Sequence, residues 1–451
     1  MKRVRLEDLF HNEVTTMDTI FALSSGKLPS GVAVIRVSGD MTQTIVKTLL
    51  GRLPTPRLMT YGKLVSRDGD FLDSALTVFF PSPHSFTGED CAEFHLHGGK
   101  AVVDRFLNEL AKFDSCRLAE PGEFSRRAFF NGKLDLTEAE GLADLIEAET
   151  ESQRRLAVMG ASGKLAALYR QWRNDLIKAR AMIEAELDFS DEEDVPGSVS
   201  DIVWDNLRDL SRSITEFVEK SERVASMRDG IKIVIAGAPN AGKSSIINRL
   251  SGFDVAIVTD EAGTTRDALE TRIVIDGYPI LLTDTAGLRE TDNKVEKLGI
   301  EVAYDRVKDA DLVLVVDDLA HPLPIELPET DAEIWHIGNK CDLVNGSPEE
   351  WPIQFSTKTG EGFDSFVKAI ASFCSNFSYD VGEVVTARKR QLTLLKTAVS
   401  EIDNAVQHSN RDLSLRAEHL RLAADSLGRI TGDIDVEDIL DVIFSQFCIG
   451  K

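Results

Sequence analysis

With 451 residues, 43% of them hydrophobic, the chain is long enough for roughly two to four domains with buried cores. Its formal net charge of −24 excludes a protein that coats nucleic acid unaided, because phosphate binding draws on Lys and Arg. No apolar run reaches the ~18 residues of a membrane span, and "MKRVRLEDLF" lacks the apolar stretch of a signal peptide. Five cysteines without a C-x-x-C pair suggest neither a disulfide frame nor structural zinc. A cytoplasmic protein with no membrane contact is expected.

Residues 1–133 alternate short β-branched runs such as "GVAVIRVSGD" and "CAEFHLHGG" with turn residues, before the helical stretch "KAVVDRFLNELAKF". This predicts a mixed α+β domain. From about Leu134 the period becomes helical, with Leu165, Leu168, Trp172, Leu176, Ala179, Ile183 and Leu187 on one face. "DFSDEEDVPG" breaks that helix, and another around Trp204 to Val224 leads to Gly230. From Ile231 the runs "IKIVIAG", "PILLTDTAG", "DLVLVVDD" and "EIWHIGNKCD" predict a parallel-rich α/β domain to about Phe377. Helical spacing then returns at Leu392, Leu395, Val399, Ile402 and Val406, and again from Leu413 to Leu427. The expected division is an α+β domain over 1–133, helices over 134–229, an α/β domain over 230–378 and helices over 379–451. Pairing of the two helical parts would make the α/β unit an insertion.

The chemistry concentrates in that insertion. "GAPNAGKSS" follows a strand and opens the helix "SSIINRL", the setting of a phosphate-binding loop. Backbone N–H groups from Gly237 through Asn240, Ala241, Gly242 and Ser245 can point at phosphate, Lys243 can neutralise its oxygens, and Ser244 can ligate Mg²⁺. "DTAG", Asp284, Thr285, Ala286 and Gly287, supplies a carboxylate for hydrated Mg²⁺ and an amide for the γ-phosphate. In "NKCD", which holds Asn339, Lys340 and Asp342, the Asp342 carboxylate can accept two N–H bonds from the guanine edge; adenine offers no such pair. "STKTG" places Ser356, Thr357 and Lys358 where a base-contacting loop belongs, with Thr357 in place of the more usual Ala. The order of the four motifs predicts a GTPase. Between them "GTTRD" (Gly263–Asp267, with Thr264 and Thr265) lies where a switch segment belongs, and Thr265 is the expected second Mg²⁺ ligand; Thr259, Asp260, Glu261 and Ala262 before it are expected to join the GTP site. Leu288 stands where a water-orienting glutamine usually lies. Asn240 is either a turn residue or, through its side-chain carbonyl, a ligand for a monovalent cation.

His95 and His97 share one side of a predicted strand; without an evident third ligand they read as a polar face rather than a metal site. The ending "CIGK" does not fit a prenylation box, since Gly450 is third and Lys451 last.

"GAPNAGKSS", "VTDEAGTTRD", "DTAGLRE" with "KVEKLGIE", "NKCD", "TGEDCAEFHLHGG", "PGEFSRRAFFNGKLDL" and "CIGK" together resemble the MnmE (TrmE) family of tRNA-modification GTPases, in the TrmE-Era-EngA-like group. The resemblance runs from about Asp18 to Lys451. It implies an N-terminal folate-binding-like α+β domain that dimerises, a discontinuous helical domain and an inserted Ras-like P-loop G domain. It further implies a homodimer working with an FAD-containing MnmG-type partner. With GTP, Mg²⁺, K⁺ and a tetrahydrofolate derivative (5,10-methylene- or 5-formyl-), the two add an aminomethyl or carboxymethylaminomethyl group at C5 of the wobble uridine of certain tRNAs. By the same resemblance Asn240, Thr259, Glu261 and Thr264 hold K⁺, and Glu296 replaces the missing glutamine. Arg36, Glu93, Lys133 and Lys451 bind folate, and Cys448 is a candidate nucleophile. Two alternatives share parts of this pattern: a non-modifying regulatory GTPase of ribosome assembly, and a folate-dependent aminomethyl transferase with a regulatory G domain.

Overall fold

The computed structural model describes residues 18–188, 199–252, 270–284, 305–344, 351–377, 387–407 and 413–434, and beyond these Leu440, Ile443, Phe444, Phe447 and Gly450. Two compact units emerge, one comprising Met1–Ala143 with Gly428–Lys451 and the other Asp144–Leu427.

The first unit is built on six strands: β1 (Thr19–Leu23), β2 (Ser30–Ser38), β3 (Thr60–Val65), β4 (Phe71–Phe80), β5 (Cys91–Gly98) and β6 (Cys116–Leu118), in the order β3-β4-β5-β2-β1-β6. Period-2 alternation sorts its faces. Ala33, Ile35, Val37, Phe94 and Leu96 pack with Ile45, Leu49 and Phe106 from the helices Thr42–Leu50 and Lys100–Leu110. The intervening residues Val34, Arg36, Glu93 and His95 turn the other way, in the register Arg36 opposite Glu93 and Val34 opposite His95. Near β1 this second face is covered by Phe124, from the helix Glu123–Phe130, and by Phe86. Toward β3 it leaves Tyr61 66% exposed, with Leu76 also exposed.

The end of the chain returns to this unit. Leu440, Ile443, Phe444 and Phe447 are buried with Leu136, Ala139 and Ala143 of the helix Leu136–Glu147. Gly450 has φ +98°, its carbonyl accepts from Ser24 Oγ at 2.8 Å, and a Cβ there would run into the Leu23 carbonyl.

In the second unit, helices from before and after the other sheet pack together. Lys389–Gln407 lies along Val199–Asp229, joined by Ser211 Oγ donating to Asp403 at 2.7 Å, and buried Tyr169 donates to Gln391 at 3.3 Å. Where one long helical period could be read from Leu134, the chain forms three helices, Leu136–Glu147, Glu151–Gly160 and Lys164–Asp188. The break at Thr150 is a capping box, Thr150 Oγ1 accepting from Gln153 N and Gln153 Oε1 from Thr150 N, both at 3.1 Å.

The second sheet contains β7 (Ile231–Gly237), β8 (Glu270–Ile275), β9 (Tyr278–Asp284), β10 (Leu312–Asp318), β11 (Glu333–Asn339) and β12 (Ile353–Phe355), in the order β12-β11-β10-β7-β9-β8. All neighbours are parallel except β8, which forms a hairpin with β9. β8, like the short β12, is an addition to the four strands expected from apolar runs. Its Asp276-Gly277 turn, with φ of 51° and 82°, is a two-residue hairpin signal already present in the sequence. Ile233, Ile235, Leu312, Leu314, Phe355 and Phe366 fill the core on one side of this sheet.

Candidate nucleotide site

β7 has β9 on one side and β10 on the other, so the helix after β7 begins at a topological switch point, where α/β sheets open a crevice at the carboxyl ends of their strands. Gly237, Asp284, Asp318, Asn339 and Phe355 end β7, β9, β10, β11 and β12 respectively. A cavity of about 510 Å³ lies there, lined by Gly237, Pro239, Asn240, Gly242, Lys243, Ser244, Ser245, Asp284, Asn339, Lys340, Asp342, Leu343, Ser356, Thr357 and Lys358.

The phosphate loop is shaped by its backbone. Asn240 has φ +65° and Gly242 φ +100°, so successive amides turn inward as an anion nest. Side chains are excluded where the loop meets its neighbours: a Cβ on Gly237 would strike the Val316 carbonyl, and one on Gly242 the Asn339 amide. The helix Lys243–Ser251 then aims its N-terminus into the cavity. Lys243 Nζ donates to the Gly237 and Ala238 carbonyls at 2.7 and 3.0 Å, which holds the ammonium across the loop mouth.

Ser244 Oγ donates to Asp284 Oδ2 at 3.3 Å, while Asp284 Oδ1 is buried with no hydrogen-bond partner among the described residues. Burial raises the Asp284 carboxyl above its ordinary range, and Lys243 and Ser244 offset that only in part. A hydroxyl beside an orphaned buried carboxylate oxygen is a donor set that fits hydrated Mg²⁺.

On the base side Asn339 is fully buried and ties three segments together. Its Nδ2 donates to the Ala241 carbonyl at 2.8 Å, and its Oδ1 accepts from Lys340 N at 2.8 Å and Thr357 N at 3.1 Å. The Thr357 hydroxyl adds a 3.3 Å bond to the same oxygen, so Thr in this position contributes a contact that Ala could not. Arg249 Nη1 donates to the Thr357 carbonyl at 2.7 Å, with its guanidinium 5.0 Å from the Phe363 ring centroid. Asp342 is exposed on the short 3₁₀ turn Cys341–Leu343.

Two features of this site carry no signal in the sequence. Arg249 lies in "IINRL", where helical spacing says nothing of its partner. Asp318, at the end of "LVLVVDD", bonds Lys340 Nζ at 2.6 Å; burial raises its carboxyl, but the lysine bond and neighbouring donors lower it overall.

The cavity gathers the phosphate-loop residues, Asp284 and the base-side residues. Thr259, Asp260, Glu261, Ala262, Gly263, Thr264, Thr265, Thr285, Ala286, Gly287 and Glu296 lie outside the described residues, as do Cys448 and Lys451. In the first unit Arg36 donates to Glu93 Oε1 through Nε and Nη2 at 3.1 and 3.0 Å, with its guanidinium against the Phe86 and Phe124 rings. Lys133 is exposed, its stem close to Gly88, two residues from Phe86. His95 lies 3.6 Å from Glu93, and His97 Nδ1 bonds Asp73 at 2.8 Å.

A strand, glycine loop and helix at the switch point of a mostly parallel sheet, with a carboxylate and an Asn-Lys-x-Asp turn at the next strand ends, define a Ras-like P-loop G domain. The family profile described as "GTP-binding protein TrmE N-terminus" matches residues 19–133, and that of the "MnmE helical domain" matches residues 136–448. The tRNA modification GTPase MnmE of Bartonella tribocorum is 66% identical over 435 residues, covering 96% of this chain and 100% of that protein. Its counterpart in Brucella anthropi is 56% identical over 434 residues, covering 96% of this chain and 98% of the relative. The chain therefore belongs to the MnmE family, and it is a GTP hydrolase that acts in tRNA modification. Among solved structures, the G domain of the T. maritima FeoB iron transporter is 26% identical, covering 32% of this chain and 98% of its own, at a TM-score of 0.25. A variant of Era from Aquifex aeolicus with bound GDP and aluminium fluoride is 21% identical, covering 38% and 66%, at 0.26. Scores this low add nothing to the assignment.

Proposed function

We propose that this GTPase works as a homodimer with an FAD-containing MnmG-type partner in the cytoplasm, installing an aminomethyl or carboxymethylaminomethyl group at C5 of the wobble uridine of tRNA from a folate one-carbon unit. The carrying observation is the Arg36–Glu93 pair, set between two aromatic rings on the sheet onto which the chain's end docks through Ser24 and Gly450. A folate offers a flat donor-rich pterin and an anionic glutamate tail, so a guanidinium, a carboxylate, aromatic walls and the exposed Lys133 are suited to it, with Lys451 as a further cation. The exposed Tyr61 and Leu76 on the same sheet support self-association there. The division into 1–133, 134–229, 230–378 and 379–451 belongs to this reading; the second and fourth segments meet as Val199–Asp229 against Lys389–Gln407, while residues 136–143 and the chain's end pack in the first unit. Mass analysis of wobble nucleosides from cells lacking the protein tests it: an unchanged modification profile would remove the function.

In the G domain, Ser244 and Thr265 hold Mg²⁺, with Asp284 fixing its hydration, and the loop amides and Lys243 bind the phosphates. Asn339, Lys340, Asp342, Ser356, Thr357 and Lys358 hold the base. Glu296 orients the attacking water in place of glutamine; unimpaired turnover in Glu296→Ala would take it out of that role. Asn240, with Thr259, Glu261 and Thr264, suits K⁺, which supplies positive charge beside the bridging phosphate oxygen when bound. Asn240 supports this, since its φ of +65° leaves an exposed carbonyl-bearing side chain at the cavity wall. GTP turnover in K⁺ is expected to exceed that in Na⁺ by about tenfold, because the fit of the site depends on ionic radius. Equal rates in steady-state assays with the two chlorides would refute the cation site.

A further inference from the structure

The wall of the cavity at Lys340 is held by a residue that none of the GTPase motifs contains. Asp318 ends β10 directly across from Asn339 in the parallel register, so its carboxylate faces the residue that follows Asn339. One oxygen accepts from Ala320 N at 3.0 Å, and the other takes Lys340 Nζ at 2.6 Å. The neighbouring Asp317 is occupied elsewhere, by Trp351 Nε1 at 2.8 Å. Lys340 has φ +66°, a left-handed turn that a lysine holds at some cost, and it lines the cavity between Asn339 and the turn bearing Asp342. With its ammonium fixed at Asp318, the methylene stem is laid along the cavity wall, where an apolar strip can meet the face of a planar ring.

We propose that Asp318 is a positioning residue for the purine base. By anchoring Lys340 Nζ it orders the lysine stem against the ring and fixes the turn that presents Asp342 to the guanine edge. A charge-assisted bond from a mostly buried carboxylate is strong enough to preorganise a long side chain that would otherwise lose rotamer freedom on binding. Asp318 lies with the base-side residues and not with Asp284 and Ser244, so it governs binding and not the chemical step. The inference rests on the reading of this cavity as the GTP site.

The test uses the full-length chain with Asp318→Asn, Lys340→Ala and the double variant, measuring GTP affinity at equilibrium together with KM and kcat. Asp318→Asn is expected to weaken GTP binding and raise KM by roughly tenfold with kcat unchanged, and the double variant to bind no worse than Lys340→Ala. Additive losses in the double variant, or wild-type affinity in Asp318→Asn, would overturn the positioning role. If Lys340→Ala itself binds GTP like the parent, the assignment of this wall to the base fails, an outcome separate from failure of the Asp318 step. Should Asp318→Asn not fold, Lys340→Met removes the same ion pair while keeping the stem. It is expected to show the same loss, and parent-like affinity would again overturn the proposal.

Discussion

Asp284→Asn is expected to cut GTP turnover by roughly 10²–10³-fold while making the folded chain harder to unfold. Both effects come from one carboxylate. Asp284 is 9% exposed at the end of β9, and its Oδ1 has no hydrogen-bond partner among the described residues. Burial holds its pKa above the ordinary carboxylate value, so the folded state keeps a proton that the unfolded state has released. As pH rises from the ordinary value through the raised one, unfolding releases that proton, and stability falls across this window. Asparagine carries no proton to lose and removes the penalty. It can still accept from Ser244, but it cannot supply the charge that a hydrated divalent cation requires. The rise in unfolding temperature should therefore be small in acid and grow toward neutral pH, while single-turnover hydrolysis collapses. A variant that loses stability along with turnover would show that the carboxylate supports the fold and was not strained for function.

The parts of this architecture legible in the sequence are those whose signal is local. β7, β9, β10 and β11 were visible as apolar runs because strands of a mostly parallel sheet are covered on both faces. The phosphate loop was visible because its glycines and lysine are adjacent in the chain. Asp318 and Arg249 were not, because their partners Lys340 and Thr357 are brought to them by strand register and by helix packing across the sheet. β8 is an intermediate case: the Asp-Gly turn was present, but the strand "ETRIVI" is short and follows the switch segment directly. In the first unit, the alternation of "GVAVIRVSGD" predicts a strand, whereas the meeting of Arg36 with Glu93 depends on the pairing of β2 with β5.

Gly450→Ala is expected to abolish wobble-uridine modification as completely as Cys448→Ser, with near-normal GTP hydrolysis in both. Leu440, Ile443, Phe444 and Phe447 are buried against the helix Leu136–Glu147, which anchors the chain up to the residue before Cys448. Two residues beyond Cys448, Gly450 is fixed again by the bond from Ser24, whose own amide donates to Val34, two residues from Arg36. An alanine at Gly450 would need φ +98° and would drive its Cβ into the Leu23 carbonyl, so the tail must leave this seat. Cys448 is the candidate nucleophile that the family resemblance implies, so unseating the tail around it and removing its thiol should disable the same step. The other thiols offer poor substitutes where their acidity is shifted: burial pushes Cys374 up to about 12 and Cys116 up to about 11, leaving both protonated. Both substitutions lie outside the sequence motifs that form the nucleotide site, so hydrolysis is the internal control. Nucleoside analysis of cells carrying each variant separates the two roles. Normal modification with Gly450→Ala would mean that the docked tail is not needed. Normal modification with Cys448→Ser alone would leave the docking essential and the thiol dispensable.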